Sequence, residues 1–495
     1  MSQEPTSLAV YIGVHLAVDR VYVSAVTEKG DILVESSAAY AAPKASQAVK
    51  GQLEINPDAW WESTRIALGH LVSQMRTKVV SASQLRSLSV SSVSGAIVTL
   101  DRHGNILYPA ILGDDMRAVD QVTSLNSLGA DHCRRMGFQF KPTYALAKIA
   151  WIKENFPEMY ENAVFVHQAD YIIGKLKGEF DVTEFSLAMR TGCDLIDECW
   201  PDWIDYDMHL SARERLPKLV PFGTPVGKIT SKASAATGLP TGMTVVMGTV
   251  AETAAFLASG ARKVGDFNTA IHDVLTISAI SCKMIKNASG TIRAYKLPGS
   301  EWFLTTETRT GAEWIAQWFS ANAFQELEKE ASELLPTTYL AYPNARKGET
   351  FPFSTSTAEG FISPATDNRI VQFASCLQGT ALFERLCYQK LDRMADNDEH
   401  GCIYSGGDWC GSDIWMQCRA DVTGRINHSV IGRGGASFGT AMIAAIGGGM
   451  GKLENVADEM IHVEKSFFPN PERVNIYSEH FENFCNLMME QGYAM

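Results

Sequence analysis

Three short apolar runs, "AVYIGVHLA", "RVYVSAVTE" and "DILVESSAAY", follow one another at the start of the chain. They are rich in β-branched and aromatic residues, and Lys29-Gly30-Asp31 supplies a tight turn between the second and third, so the chain opens as a three-stranded meander. Such a sheet needs a cover. "NPDAWWESTRIALGHLVSQM" provides it, with Pro57 near its start and apolar residues at helical spacing. The strands "LRSLSVSS" and "GAIVTLD" come next, and His103-Gly104-Asn105 is the following turn. From Thr143 to Val182 the pattern is helical, in "YALAKIAWIKENFPEMYENA" and "ADYIIGKLKGEF", which reads as a helical insert. "LPKLVPFGTPVGKIT" is rich in Pro and Gly without periodicity and reads as a loop.

The second half repeats this plan. "VVMGTV", "DFNTAIHDVLTIS" and "TIRAYKL" read as strands, and long helices are expected from Asp367 to Met394 and from Ser412 to Val422. A chain of 495 residues exceeds what one hydrophobic core usually supports. A boundary fits between Pro240 and Thr244, giving domains 1–244 and 245–495. Two related α/β halves imply a cleft between them, the usual seat of a ligand. No repeat of fixed period is present, which excludes a solenoid.

Composition narrows the functional classes. Hydrophobic residues make up 46% and charged residues 20%, the balance of an ordinary globular protein. A net charge of −13 argues against nucleic acid or an anionic membrane as partner and favours a small molecule or a protein. A homodimer is compatible with it. The N-terminal stretch lacks a basic region and His15 interrupts its apolar run, so neither a leader nor a span is expected and the protein reads as cytoplasmic. Ten cysteines without a C-x-x-C pair and eleven histidines without an H-x-x-x-H pair point to buried free thiols and no metal site.

Seven stretches, in order, carry a family resemblance: "INPDAWWESTRIAL", "LDRHGNILYPAILGDDMRA", "KPTYALAKIAWIKENFPEMYENA", "GKLKGEFDVTEFSLAMRTG", "VGKITSKASAATGLPTGMTVVMG", "YSGGDWCGSDIWMQCRADVTGR" and "ASFGTAMIAAIGGG". The chain resembles the FGGY carbohydrate kinases, nearest to the xylulokinase-like pentulose kinases. The resemblance implies a two-domain actin-like ATPase (ribonuclease H-like) fold with an interdomain cleft. It further implies ATP and Mg²⁺ as the phosphoryl source, a small ketose or polyol as acceptor, and an Asp after the interdomain strand as general base. Two glycine- and hydroxyl-rich hairpins are expected to hold the phosphates.

Several positions depart from that pattern. In "VVMGTVAETAA" the family's catalytic Asp falls on Ala251, and Glu252 comes one residue late, about 100° away around a helix. Glu252 is then either a displaced base or the partner of Thr249 in a helix-starting capping box. The first phosphate hairpin reads "GVHLAVDRV". His15 replaces the Mg²⁺-associated acid, and Ala17 and Val18 replace glycine and hydroxyl positions. His15 is either a phosphate-binding cation or a satisfied strand histidine. The second hairpin reads "GDFNTAIHDVL". Gly265 and Asp266 are retained, and Ile271, His272, Asp273 and Val274 fill the turn. If Asp19 and Asp273 face the phosphates, like charges about 4 Å apart cost roughly 4 kcal/mol at an effective dielectric of 20.

The acceptor side keeps more of the pattern. "GDDMRA" retains Asp115 and Arg117, a carboxylate for polyol hydroxyls and a guanidinium to fix it, with Gly113 in the aromatic position. Ser92 and Ser94 are further acceptor-binding candidates, in "SSVSGAIV", where Ser94 and Gly95 replace Met and His of the xylulokinase pattern. Ser405, Gly406 and Gly407 form the glycine turn expected against the adenosine. "GGGMGKL" lacks the spacing and hydroxyl of a P-loop and reads as the C-terminal cap of a helix. The expected function is an FGGY-type carbohydrate kinase with impaired phosphorylation, or a catalytically inactive pseudokinase acting as a sugar sensor or regulatory partner.

Overall fold

The computed structural model describes residues 8–40, 44–45, 51–206, 212–286, 290–320, 322–397, 400–430 and 435–493. The first seven residues, part of the N-terminal stretch discussed above, lie outside them. The chain divides into two compact units. The first comprises Met1–Ala258, Tyr295–Gly299 and Arg433–His462; the second comprises Ser259–Ala294, Ser300–Gly432 and Val463–Met495. The "VVMGTVAETAA" stretch therefore belongs to the first unit.

The opening meander forms as the sequence predicts. Val10–Leu16 pairs antiparallel with Arg20–Thr27, and that strand pairs with Ile32–Ala39. Gly30, at φ +80°, makes the turn between the last two. On its other side Val10–Leu16 runs parallel to Leu85–Ser92, which runs parallel to Thr244–Val246, and Pro225–Lys228 closes that edge. The central strand is buried along both faces: Val10, Ile12, Val14 and Leu16 on one face have no exposed surface, and Tyr11 on the other is 3% exposed. Burying each such side chain contributes about 1.5–3 kcal/mol.

Pro57–Thr77 packs against the meander as an amphipathic helix. It is capped by Asn56, whose side chain accepts from the Asp58 amide, and it buries Trp60, Leu68, Leu71 and Met75. The helix Ala436–Ala445 covers the same sheet so closely that a Cβ on Gly13 would lie 1.9 Å from the Ser437 carbonyl oxygen. Only glycine fits there.

The second unit repeats the scheme. Phe267–Ile271 pairs antiparallel with Leu275–Ser281, and that strand with Trp302–Glu307. Phe267–Ile271 also runs parallel to Ile403–Gly407, which runs parallel to Asn427–Ser429. The expected long helices are present as Arg369–Ala395 and Asp413–Thr423. Two expectations need correcting. The Pro- and Gly-rich "LPKLVPFGTPVGKIT" holds two short strands, Lys218–Val220 and Pro225–Lys228, and the second begins with a proline that only a sheet edge tolerates. Burial also does not account for every thiol, because Cys199 and Cys282 are exposed.

Candidate active site

The acceptor-side candidates stand on two turns of the first unit. Leu85–Ser92 ends in Ser92, which is fully buried; its hydroxyl donates to the Val93 carbonyl (3.0 Å) and its amide to the Thr249 carbonyl (3.3 Å). Ser94 follows on a turn that needs Gly95 at φ +89°, and remains half-buried. On the second turn Asp115 has no exposed surface. Oδ1 accepts from the Arg117 amide and Nε (both 2.9 Å), and Oδ2 accepts from Arg117 Nη2 (2.8 Å) and the Leu53 amide (2.6 Å).

Arg117 is equally enclosed. Nη1 donates to Glu54 Oε1 (2.6 Å) and Tyr108 Oη (3.2 Å), and the guanidinium lies 4.9 Å from the Trp151 ring. The bidentate pair is thus a buried brace for the turn. Asp114, one residue earlier, is exposed beside it, and the sequence reading passed over it. Ser94 and Asp114 are the accessible polar groups that these two turns present.

The turn from Thr244–Val246 into the helix Ala251–Leu257 removes one of the two readings of Glu252. The residue before the helix is Val250 and no side chain caps it. The Thr249 hydroxyl donates instead to Glu184 Oε2 (2.9 Å), so the expected capping box with Glu252 is not formed. A local cap lost to a tertiary partner. Glu184 is buried and also accepts from the Leu187 amide (3.2 Å), and burial raises its carboxyl pKa to about 7. Among the described residues its Oε1 has no hydrogen-bond partner. Ala251 and Glu252 are both half-exposed at the start of the helix.

Both hairpins that the resemblance assigns to phosphates are formed, with the departing residues at their tips. In the first unit the hairpin tip is Ala17, Val18 and Asp19. Val18 is 71% exposed, and Asp19 pairs with Arg20 (3.2 Å). His15 faces inward within hydrogen-bonding distance of Ser91 Oγ (3.2 Å), and Ser91 in turn lies 2.6 Å from Thr440 Oγ1. Burial lowers its pKa from 6.5 to about 4, so it is a neutral strand histidine at physiological pH and not a phosphate-binding cation. The folded value lies below the unfolded one, so stability is lost as pH falls from about 6.5 towards 4. Replacing His15→Gln is expected to flatten that part of a urea-denaturation profile against pH.

In the second unit Gly265 and Asp266 serve the interior of a turn. Asp266 accepts from the Arg262 and Lys263 amides (both 3.1 Å) and the Cys402 amide (3.0 Å). The hairpin tip His272–Val274 is acidic: His272 Nδ1 lies 2.8 Å from Asp408 Oδ2, and Arg346 pairs with Glu313 and reaches Asp273 at 3.9 Å. Ser405 points into the core, donating to Asn427 Oδ1 (2.7 Å) and accepting from Arg419 Nη1 (2.7 Å). Gly406 and Gly407 stay half-buried, and Gly407 at φ +93° lets its strand approach Ile271.

A magnesium–triphosphate does not fit these residues. The first tip offers a methyl, an isopropyl group and an acid, and the second offers acids where phosphate oxygens need donors. Among the described residues no three His, Cys, Asp or Glu side chains are grouped to hold a metal ion. No helix among them is long and apolar enough to cross a membrane.

Known proteins carry the same architecture. The N-terminal domain of the FGGY family of carbohydrate kinases matches residues 10–258, and the C-terminal domain of that family matches residues 288–448. The chain is 26% identical to a xylulose kinase of Bacillus subtilis over 96% of each protein. It is 21% identical to an autoinducer-2 kinase of Klebsiella pneumoniae, covering 90% of this chain and 87% of that one. The solved xylulose kinase of Rhodospirillum rubrum superposes with a TM-score of 0.76 at 22% identity, covering 97% of this chain and 98% of that one. With both domains matched in order along most of its length, the chain belongs to the FGGY family of carbohydrate kinases and has their two-domain actin-like ATPase fold.

Proposed function

We propose that this chain is a xylulokinase-like FGGY protein that binds a small ketose or polyol on the Ser94 and Asp114 turns, and whose phosphoryl transfer is impaired. One observation carries the reading: the helix Ala251–Leu257 begins with a methyl group at the position where the family resemblance calls for a carboxylate. Glu252 does not stand in that position, because it comes one residue later, about 100° away around the helix. Glu184, the nearest acid tied to this turn, is held in the interior by Thr249.

The hairpins favour a second, stricter reading, a catalytically inactive pseudokinase that reports the presence of its sugar to a partner. The two readings separate in a coupled ADP-release assay of Ala251→Asp. Restoring the acid alone is expected to leave turnover within about tenfold of wild type, because phosphoryl transfer also needs its phosphates positioned. A rise of a hundredfold or more would mean that the hairpins are competent and that Ala251 is the one lesion.

A further inference from the structure

Lys148 lies in the helix Ala145–Asn155, whose Leu146 and Ile149 pack in one apolar cluster with Ile97, Ile111 and Phe140. It is a lysine with no exposed surface. Its Nζ donates to four carbonyl oxygens, those of Gly95 (2.8 Å), Leu112 (2.5 Å), Gly113 (3.0 Å) and Thr143 (2.9 Å). An ammonium has three protons, so the four acceptors share them.

These carbonyls come from three separate segments. One is the turn that carries Ser94, one the turn that carries Asp114, and the third leads into the helix of Lys148 itself. No carboxylate among the described residues pairs with the ammonium. The charged groups that face it are Asp115, Arg190, Asp114 and Arg117. Arg190 reaches the same place from another side, with Nη1 3.5 Å from the Ser94 carbonyl.

We propose that Lys148 is the positioning residue of the acceptor site: its charge clamps the Ser94–Gly95 and Leu112–Gly113 turns together, and acceptor affinity depends on that charge. This rests on the acceptor reading given above. Burial lowers the pKa of the ammonium from 10.5 to about 7, so the clamp titrates near neutrality. A neutral amine has two protons and a lone pair, which leaves carbonyls of the two turns unpaired or facing that lone pair. Between about 7 and 10.5 the unfolded chain holds the proton and the folded chain does not, so this group favours folding as pH rises. Loss of acceptor binding in that window is then local, not a sign of unfolding.

The test measures acceptor-induced shifts in melting temperature from pH 6 to 9, with D-xylulose, D-ribulose, xylitol and D-arabitol as probes, for wild type, Lys148→Arg and Lys148→Met. Wild-type affinity is expected to fall about a hundredfold across the range, following the charged fraction of a group that titrates at about 7. Lys148→Arg, charged throughout, should show no such fall, and Lys148→Met should melt lower and respond to no acceptor at any pH. A flat wild-type profile, or an arginine variant that titrates like wild type, would overturn the role of Lys148 while leaving the acceptor site standing. If none of the four probes shifts wild type at any pH, the acceptor reading falls and this role falls with it. Should the methionine variant not fold, the wild-type and arginine profiles still decide.

Discussion

Acceptor-dependent ADP release by the wild-type chain is expected to lie about 10⁴-fold or more below that of the Bacillus subtilis xylulose kinase assayed beside it. A positioned general base is typically worth about 10²–10⁴ in rate, and the family resemblance places it at Ala251, which heads the helix Ala251–Leu257. The hairpins add to the deficit. Val18 is exposed at the first tip, and Asp273 and Asp408 bring carboxylates to the other turn. These losses act on one step, so they multiply in rate. Turnover within a hundredfold of the relative would show that a carboxylate reaches the acceptor from elsewhere in the chain.

Breaking the Arg419–Glu384 pair is expected to destabilise the protein by about 3–5 kcal/mol, read by urea denaturation of Arg419→Ala. Both side chains are 1% exposed, and they meet through two contacts, Nε to Oε2 (2.7 Å) and Nη2 to Oε1. Glu384 Oε1 also accepts from Tyr388, whose hydroxyl lies 2.5 Å from Thr269 Oγ1. Arg419 Nη1 donates to Ser405 (2.7 Å). Removing the guanidinium strands a carboxylate in the core and frees the strand that leads into Gly406 and Gly407. Replacing both partners with apolar residues of similar size, Arg419→Met with Glu384→Leu, should cost less than the single change, since no charge is then left buried alone. Equal losses from the single and double variants would mean that the pair contributes by packing only.

The strands themselves were legible wherever they are buried and bounded by turn residues. Val10–Leu16, Leu85–Ser92 and the Gly30 turn follow directly from β-branched runs and punctuation. Pro225–Lys228 was not legible, because an edge strand of four residues with a proline has the composition of a loop.

At the site, the sequence pattern placed the family's Asp at Ala251, but the bonding of the neighbouring residues was not legible. Thr249 and Glu252 have capping-box spacing, yet Thr249 bonds Glu184, 65 positions away. Asp115 and Arg117 were correctly seen as partners. Their near-complete burial depends on Leu53, Glu54, Tyr108 and Trp151, which only the fold assembles. Lys148 gave no signal at all, because its acceptors are backbone carbonyls that any residue could supply.

The central claim is that acceptor binding survives without a working phosphoryl-transfer centre. The most direct measurement is the melting temperature of the wild-type chain in four mixtures: alone, with a saturating ketose or polyol, with Mg²⁺-ATP, and with both. A ligand at about a hundredfold its dissociation constant stabilises by roughly 2.7 kcal/mol, enough to move a melt measurably. At least one ketose or polyol is expected to raise the melting temperature, and Mg²⁺-ATP to add nothing, alone or together with it. A shift with Mg²⁺-ATP accompanied by acceptor-dependent ADP release, or no shift with any sugar, would contradict the claim.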